Sequence, residues 1–450
     1  MNRASWRVRG GAALAVLLAG VAGLVLVRPG VAAAPSRPNI LLLVLDDART
    51  GATGVMSKTE DWLRRGGTYL PNTVATTPSC CPSRASLLSG RFTHNHGVNQ
   101  QDAIGRYDHE RTLQHDLKAA GYGTAAVGKL FNRWPLAQRP PGFDRWALTH
   151  GGYDGAWFGV EGKSRRVGYS TTFIGEQVNR YLDDFEADDT RPWFMYAGFT
   201  APHSPYTPED KYAGREFPWD GNPATRETDR RDKPSWVRKY SISFEEGTAT
   251  RAAQLRTLLS VDDAVESVRQ HLSARGELDN TLVMLVSDNG KAWGEHGLPS
   301  KFTPYRESVN VPVYLWWPGH VPAREDTRLA ALVDVAPTLL AAAGLRPSYE
   351  LDGRSLLGPA RERVLLEYWR DKANGSFPTW ASLLSWGRYQ YTEYFDGEGR
   401  RTEREYYDLA ADPWQLTNLL GDRDPANDPA LTPLADALAA QRRCAGSGCF

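Results

Sequence analysis

Four short apolar runs, each ending abruptly in polar residues, constrain the fold of this chain more than any other feature. Ile40-Leu41-Leu42-Leu43-Val44-Leu45 stops at Asp46-Asp47, and Gly123-Thr124-Ala125-Ala126-Val127 stops at Gly128-Lys129. The run from Trp193 to Phe199 stops near Pro202-His203, and the run from Thr281 to Val286 stops at Ser287-Asp288-Asn289. A segment that is apolar on both alternations reads as a strand buried on both faces. Helical patterns lie between the runs, at Leu113–Ala119 and at residues 173–184 and 255–272. Strand then helix, repeated, predicts an α/β fold with a large, mostly parallel central sheet flanked by helices. Ligands of such sheets bind beyond the carboxyl ends of the strands, where all four polar clusters fall.

At 450 residues, one large domain with an appendage is favoured over several small domains. The pattern changes after Gly344. Short strands are predicted near residues 364–369, 382–386, 389–394 and 406–409, so a smaller antiparallel subdomain is expected over 345–450, after a catalytic domain over 35–344. Residues 207–250 are rich in Pro, Gly and charge. They are too long for a simple connection and read as a functional excursion.

Lys+Arg and Asp+Glu both number 53, so no global field selects nucleic acid or an anionic membrane as partner. Arg3, Arg7 and Arg9 precede an apolar stretch over 11–27, and Ala32-Ala33-Ala34 follows. That order reads as a signal peptide over residues 1–34, which implies a secreted or extracytoplasmic protein with no membrane span after cleavage. Of the four cysteines, Cys444 and Cys449 are expected to close a small disulfide loop. Cys80 and Cys81 are neighbours and leave an unpaired thiol to explain.

Each polar cluster has a reactive and a plain reading. Adjacent Asp46 and Asp47 suit a hard divalent cation with oxygen ligands, or else a turn or helix cap. Asp288-Asn289 offers a carboxylate and an amide oxygen to the same ion, or simply a turn. In Ser79-Cys80-Cys81-Pro82-Ser83-Arg84, Pro82 suits the first turn of a helix that Gly90 ends. Cys80 then sits just before a helix N-terminus, where backbone N–H groups favour an anion, and Arg84 can fork onto oxyanions. The plain alternative is a buried free thiol.

Cys80-x-Pro82-Ser83-Arg84, followed by Leu87-Leu88-x-Gly90, resembles the sulfatase signature. Other segments are similar to the same family: Asn39 to Asp47, Ser287-Asp288-Asn289-Gly290, Lys301 with Pro304-Tyr305-Arg306-Glu307-Ser308, Asp334-x-x-Pro337-Thr338, and Asp352-Gly353-x-Ser355-Leu356. Within it, His94-Asn95-His96, Gly128-Lys129-Leu130-Phe131-Asn132 and Ala201-Pro202-His203-Ser204-Pro205 resemble the N-acetylglucosamine-6-sulfatase type.

The resemblance implies an alkaline-phosphatase-like fold and conversion of Cys80 to formylglycine (3-oxoalanine) by a formylglycine-generating enzyme. It implies Ca²⁺, with Mg²⁺ the alternative, on Asp46, Asp47, Asp288, Asn289 and an oxygen of the modified Cys80. Arg84, Lys129 and Lys301 are then expected to neutralise the sulfate, with His203 assisting or protonating the leaving alcohol. The implied substrate is a sulfated carbohydrate such as glucosamine 6-O-sulfate. Rival readings are a phosphomonoester or phosphonate ester hydrolase and a non-catalytic binder of sulfated glycans.

One departure stands out. Arylsulfatases usually carry a histidine just after the lysine that Lys129 matches, and here Asn132 follows, which cannot act as a base. His94, His96 and His296 are weaker candidates for a substrate-facing wall. Trp219 and Trp236 are either a sugar-stacking surface or core. Asp262-Asp263 is expected on a solvated or capping face of the 255–272 helix.

Overall fold

The even residues of the first apolar run, Ile40, Leu42 and Val44, pack into one hydrophobic cluster, and the odd residues Leu41, Leu43 and Leu45 into another. The strand therefore separates two cores, as its unbroken apolar sequence predicts. In the computed structural model, which describes residues 37–371 and 377–449, this strand is β1 (Asn39–Leu45). The expected signal peptide lies outside the described residues.

The other predicted runs are also strands: β2 (Gly123–Lys129), β6 (Trp193–Gly198) and β7 (Thr281–Ser287), each buried at every position. Between β2 and β6 lie β3 (Arg145–Thr149), β4 (Trp157–Val160) and β5 (Lys163–Arg166); β8 (Val313–Trp316) follows β7. Two short strands, Thr68–Tyr69 and Arg324–Glu325, complete a 10-stranded sheet beyond β8. From β8 the order is β8-β7-β1-β6-β2-β3-β4-β5. The inner pairs are parallel, and the outer pairs β7–β8, β3–β4 and β4–β5 are antiparallel. The predicted α/β class is thus what the chain adopts.

The helices cover both faces. Helix α1 (Cys80–Ser89) is buried throughout and is ended by Gly90, whose φ of 63° is left-handed. A Cβ there would also press into Leu351 and Pro337, so glycine is required twice over. Cys80 is the first helical residue and Ser79 the cap, one position from the expected start. Helices α2 (Leu113–Ala119), α3 (Ser170–Glu186), α4 (Phe244–Arg275) and α5 (Val335–Ala342) follow. Helix α4 is far longer than its predicted core. Ser243 and Glu246 form a capping box that starts it early, inside the expected excursion.

A second, antiparallel sheet contains β9 (Val364–Tyr368), β10 (Thr379–Ser385), β11 (Tyr389–Phe395) and β12 (Arg401–Asp408) in sequence order. Cys444 and Cys449 form the expected disulfide. Among the described residues no helix is long and apolar enough to cross a membrane.

Ahead of α4 the excursion folds as irregular chain with short 3-10 turns. Its tryptophans serve packing. Trp236 is buried against Phe377 and Tyr394, while Trp219 meets Phe244 and Trp293. Of the two readings, the core one holds for Trp236, whereas Trp219 is only partly buried. Asp262 likewise turns inward and accepts from the N–H and hydroxyl of Thr59, both at 2.8 Å. Asp263 stays on the outer face with Lys58 and Lys211.

Candidate active site

Adjacent strands β1 and β7 run parallel with Leu45 opposite Ser287, so Asp46 and Asp288 leave the sheet at one level. The Asp47 N–H donates to Asp288 Oδ1 at 3.2 Å. Asp47 has φ of 70°, a left-handed conformation for a residue with a Cβ, held because the strand ends on either side fix it. Asn289 Nδ2 donates to Asp47 Oδ1 at 2.7 Å. Four of the five predicted metal ligands, Asp46, Asp47, Asp288 and Asn289, are thus one cluster, each no more than 3% exposed.

Helix α1 aims its first residue at this cluster. Cys80 Sγ lies 3.3 Å from Asp46 Oδ1 and 2.7 Å from Lys301 Nζ. Lys301 also pairs with Asp47, and Lys129, at the end of β2, pairs with Asp46. Lys129 reaches inward because Gly128 and Gly198 face each other across β2 and β6. A Cβ on Gly128 would fall 2.0 Å from the Gly198 carbonyl oxygen. His203 Nε2 lies 3.9 Å from Asp47 Oδ2, and its side chain, 31% exposed, is the most open of the group.

Arg84 is held by the acids of the cluster. Its side chain is fully buried and contacts Asp288 Oδ2 at 2.8 Å, Asp46 Oδ2 at 3.4 Å, Tyr196 Oη at 2.7 Å and the Lys129 carbonyl. Two buried carboxylates draw the guanidinium into the cluster. Its Nη2 lacks a hydrogen-bond partner.

The electrostatics follow from this packing. Burial opposes charge on Asp46, but Lys129, His203, Arg84 and Lys301 outweigh it and hold that carboxyl well below its usual range. Burial likewise opposes charge on Asp47, and Lys301 and His203 overcome it. Asp288 goes the other way: burial and the Asp46 charge raise it against Arg84. Burial, with the Asp46 charge, also pushes the Cys80 thiol far above its ordinary value.

The donor set fits a hard divalent cation: three carboxylates and an amide oxygen on two adjoining strand ends. One ligand atom each from Asp46, Asp47, Cys80 and His203 lies within 4.8 Å of the others.

The chain matches the family described as sulfatase over residues 38–345. It belongs to the sulfatase family. A second match, described as N-sulphoglucosamine sulphohydrolase, C-terminal, covers residues 294–443. This sulfatase is a sulfuric ester hydrolase. It is 30% identical to human N-acetylglucosamine-6-sulfatase, over 88% of this chain and 83% of the relative. It is also 30% identical to the Drosophila melanogaster extracellular sulfatase SULF-1 homolog over 74% of this chain, but spans only 32% of that relative's length. Among solved structures it resembles BT4656 in complex with its substrate D-glucosamine-2-N,6-O-disulfate. That likeness has a TM-score of 0.78 at 22% identity and covers 90% of this chain and 96% of the other.

Several residues around the sulfatase cluster escaped the sequence reading. Gln254 of α4 donates to the carbonyls of Asp47 and Pro202 at 3.3 and 3.0 Å and accepts from Trp293 Nε1 at 2.6 Å. Ser83 donates to the Asp288 carbonyl, and Ser287 Oγ accepts from the Ala48 N–H at 2.9 Å. Lys291 is buried, with Nζ 3.2 Å from the Pro299 carbonyl. Asn132, in the place of the missing histidine, donates to Gln101 Oε1 at 2.8 Å. That oxygen also accepts the Cys81 N–H at 3.0 Å.

The weaker histidine candidates turn away from the cluster. His94 binds Glu367 and the Cys444 carbonyl, His96 binds Ser86 Oγ at 2.9 Å, and His296 binds Glu227 at 2.8 Å.

Proposed function

We propose that this enzyme hydrolyses sulfate monoesters of a sugar, of the glucosamine 6-O-sulfate kind, using formylglycine at position 80. The carrying observation is that Cys80, three carboxylates, Asn289, two lysines and His203 meet at the carboxyl edge of one sheet. The sugar follows the names of its relatives, N-acetylglucosamine-6-sulfatase and a complex with a glucosamine disulfate.

Asp46, Asp47, Asp288 and Asn289 would hold the cation, Ca²⁺ by preference for a crowded all-oxygen site and Mg²⁺ as the alternative. Bound there, it supplies Lewis-acid stabilisation of the sulfuryl oxygens and lowers the pKa of a neighbouring hydroxyl. The hydrated aldehyde supplies two hydroxyls on one carbon, one to attack sulfur and one whose deprotonation releases sulfate. An unmodified Cys80 offers neither. Its thiol is held protonated by burial, and a thiol is a poor nucleophile.

The chain's own groups do the rest. Lys129 and Lys301 flank the first helical residue and balance charge that develops on the sulfate oxygens. Arg84, Ser83 and Gln254 hold the carboxylates and their backbone in place. His203, the most exposed member, is positioned to give a proton to the departing alcohol. The closed floor beneath Cys80 keeps bulk water off these charges.

A panel of sulfated mono- and disaccharides, run beside an aryl sulfate, tests the sugar assignment. Turnover of 6-O-sulfated glucosamine at least about tenfold above the aryl ester by kcat/KM is expected. Indifference to every sulfated sugar overturns it.

A further inference from the structure

The far edge of the large sheet carries a feature that the catalytic cluster does not use. Trp157, at the start of β4, is 57% exposed, while its neighbour Phe158 is buried. Its cross-strand partner is Arg166, on β5. Strand β5 reads Lys163-Ser164-Arg165-Arg166, is exposed at every position and forms the outer edge of the sheet. Among the described residues none of its three cations is ion-paired. Arg165 leans over the Phe173 ring at 5.1 Å, and Arg166 Nε donates to the Gly155 carbonyl at 3.2 Å.

The register fixes where this pair stands. Lys129 is level with Thr149 across β2 and β3, and Leu148 is level with Gly159 across β3 and β4. Trp157 therefore emerges at the same carboxyl edge as Lys129, two strands away, which is about 10 Å between backbones. From Asp46 it is four strands away, about 19 Å. The connecting segment contains Gly151 and Gly152, both with positive φ, so two successive positions carry no side chain over that span.

A basic edge strand is an ordinary guard against edge-to-edge pairing, and this accounts for Lys163 and Arg165. It does not account for Trp157, since an exposed indole favours association. An indole beside a guanidinium suits a sugar ring that carries a sulfate or carboxylate: the ring stacks and the fork takes the anion.

We propose that the Trp157–Arg166 end of this hairpin is an exosite for a sulfated polysaccharide, holding sugars beyond the one whose sulfate enters the catalytic cluster. The distance makes the site selective for length. A monosaccharide in the cluster cannot span it, and an extended chain can. The proposal rests on the sulfated-sugar reading above.

Trp157→Ala and Arg166→Glu, made separately in the full chain, test it with two readouts. The first is steady-state turnover of a long 6-O-sulfated glycosaminoglycan beside glucosamine 6-sulfate. The second is retention on immobilised heparin as salt rises. Each variant is expected to raise the polymer KM about tenfold and to elute earlier from heparin, with kcat and all monosaccharide constants within about twofold of wild type. Unchanged polymer KM with unchanged retention overturns the exosite. So does equal loss on both substrates, which marks damage to the cluster instead. Self-association of Arg166→Glu by light scattering, with unaltered polymer kinetics, leaves only the edge guard and also overturns it. If the wild type turns over neither substrate, the sugar reading fails, and heparin retention of Trp157→Ala, which changes no charge, decides the exosite alone.

Discussion

Two buried acid clusters meet the same short loop, and their contrast shows what separates a structural charge from a reactive one. Glu405, in the antiparallel sheet, accepts hydroxyls from Tyr305 at 2.7 Å, Tyr407 at 2.6 Å and Tyr394. Four residues before Tyr305 in the chain, Lys301 reaches the opposite way to Asp47 and Cys80. Both clusters are buried. Glu405 is surrounded by neutral donors that fill its lone pairs. Asp47 sits beside two further carboxylates, in a left-handed conformation, with ammonium groups pressed in and an Arg84 nitrogen close by that has an ion pair to Asp46 but no hydrogen bond. Burial of an acid is common to both. Crowded like charge and incomplete satisfaction mark only the second.

Removing a member from each cluster should break them in different ways. Asp288→Ala, with Arg84 left without its main partner, is expected to lower kcat by about a thousandfold or more and to abolish stoichiometric divalent metal. Elemental analysis beside kinetics checks it, and wild-type turnover would count heavily against the assignment. Gln254→Ala removes two bonds that fix Asp47 and Pro202 while touching no substrate. It should cost roughly tenfold in kcat and about 1–3 kcal/mol of stability, measured by denaturant unfolding. Glu405→Gln should cost a comparable 1–3 kcal/mol, roughly, while kcat per folded molecule stays at the wild-type value. A large kcat loss there would mean that the two clusters are coupled through the loop.

His96 leaves catalysis aside and gives a stability effect of defined sign. Burial, aided by Arg91 and His94, lowers its pKa from 6.5 to about 3, so the folded protein holds it neutral. The unfolded chain therefore binds more protons between those values. The contribution is complete above pH 6.5 and is lost as pH falls toward 3, at about 1.4 kcal/mol per pH unit from this one group. The pH slope of the unfolding free energy from urea titrations across that range should fall by that amount in His96→Gln. An unchanged slope would show that His96 is already protonated when folded.

Much of this was legible in the sequence, for physical reasons. Short, fully apolar runs that alternate with helical patterns fit the interior of a parallel sheet, and chain polarity then sends their polar ends to a common edge. Asp46, Lys129 and Asp288 are placed that way, while the part given to Cys80 rests on the resemblance of Cys80-x-Pro82-Ser83-Arg84 to the sulfatase signature. That Arg84 pairs with Asp46 and Asp288 was not legible, because residue type does not name a guanidinium's partners. Gln254 was hidden in a helix whose pattern speaks only of packing. Sugar surface and core stayed open for Trp219 and Trp236, because composition does not reveal that Trp236 is buried against Phe377 and Tyr394 while Trp219 is only partly buried against Phe244 and Trp293.

The most direct test is the mass of the proteolytic peptide containing Cys80, taken from the same preparation whose sulfate-ester turnover is measured. Formylglycine chemistry predicts an aldehyde or its hydrate at that position, in a fraction that tracks specific activity across preparations, and no turnover from Cys80→Ala. Full activity from protein in which Cys80 is entirely free thiol would contradict it.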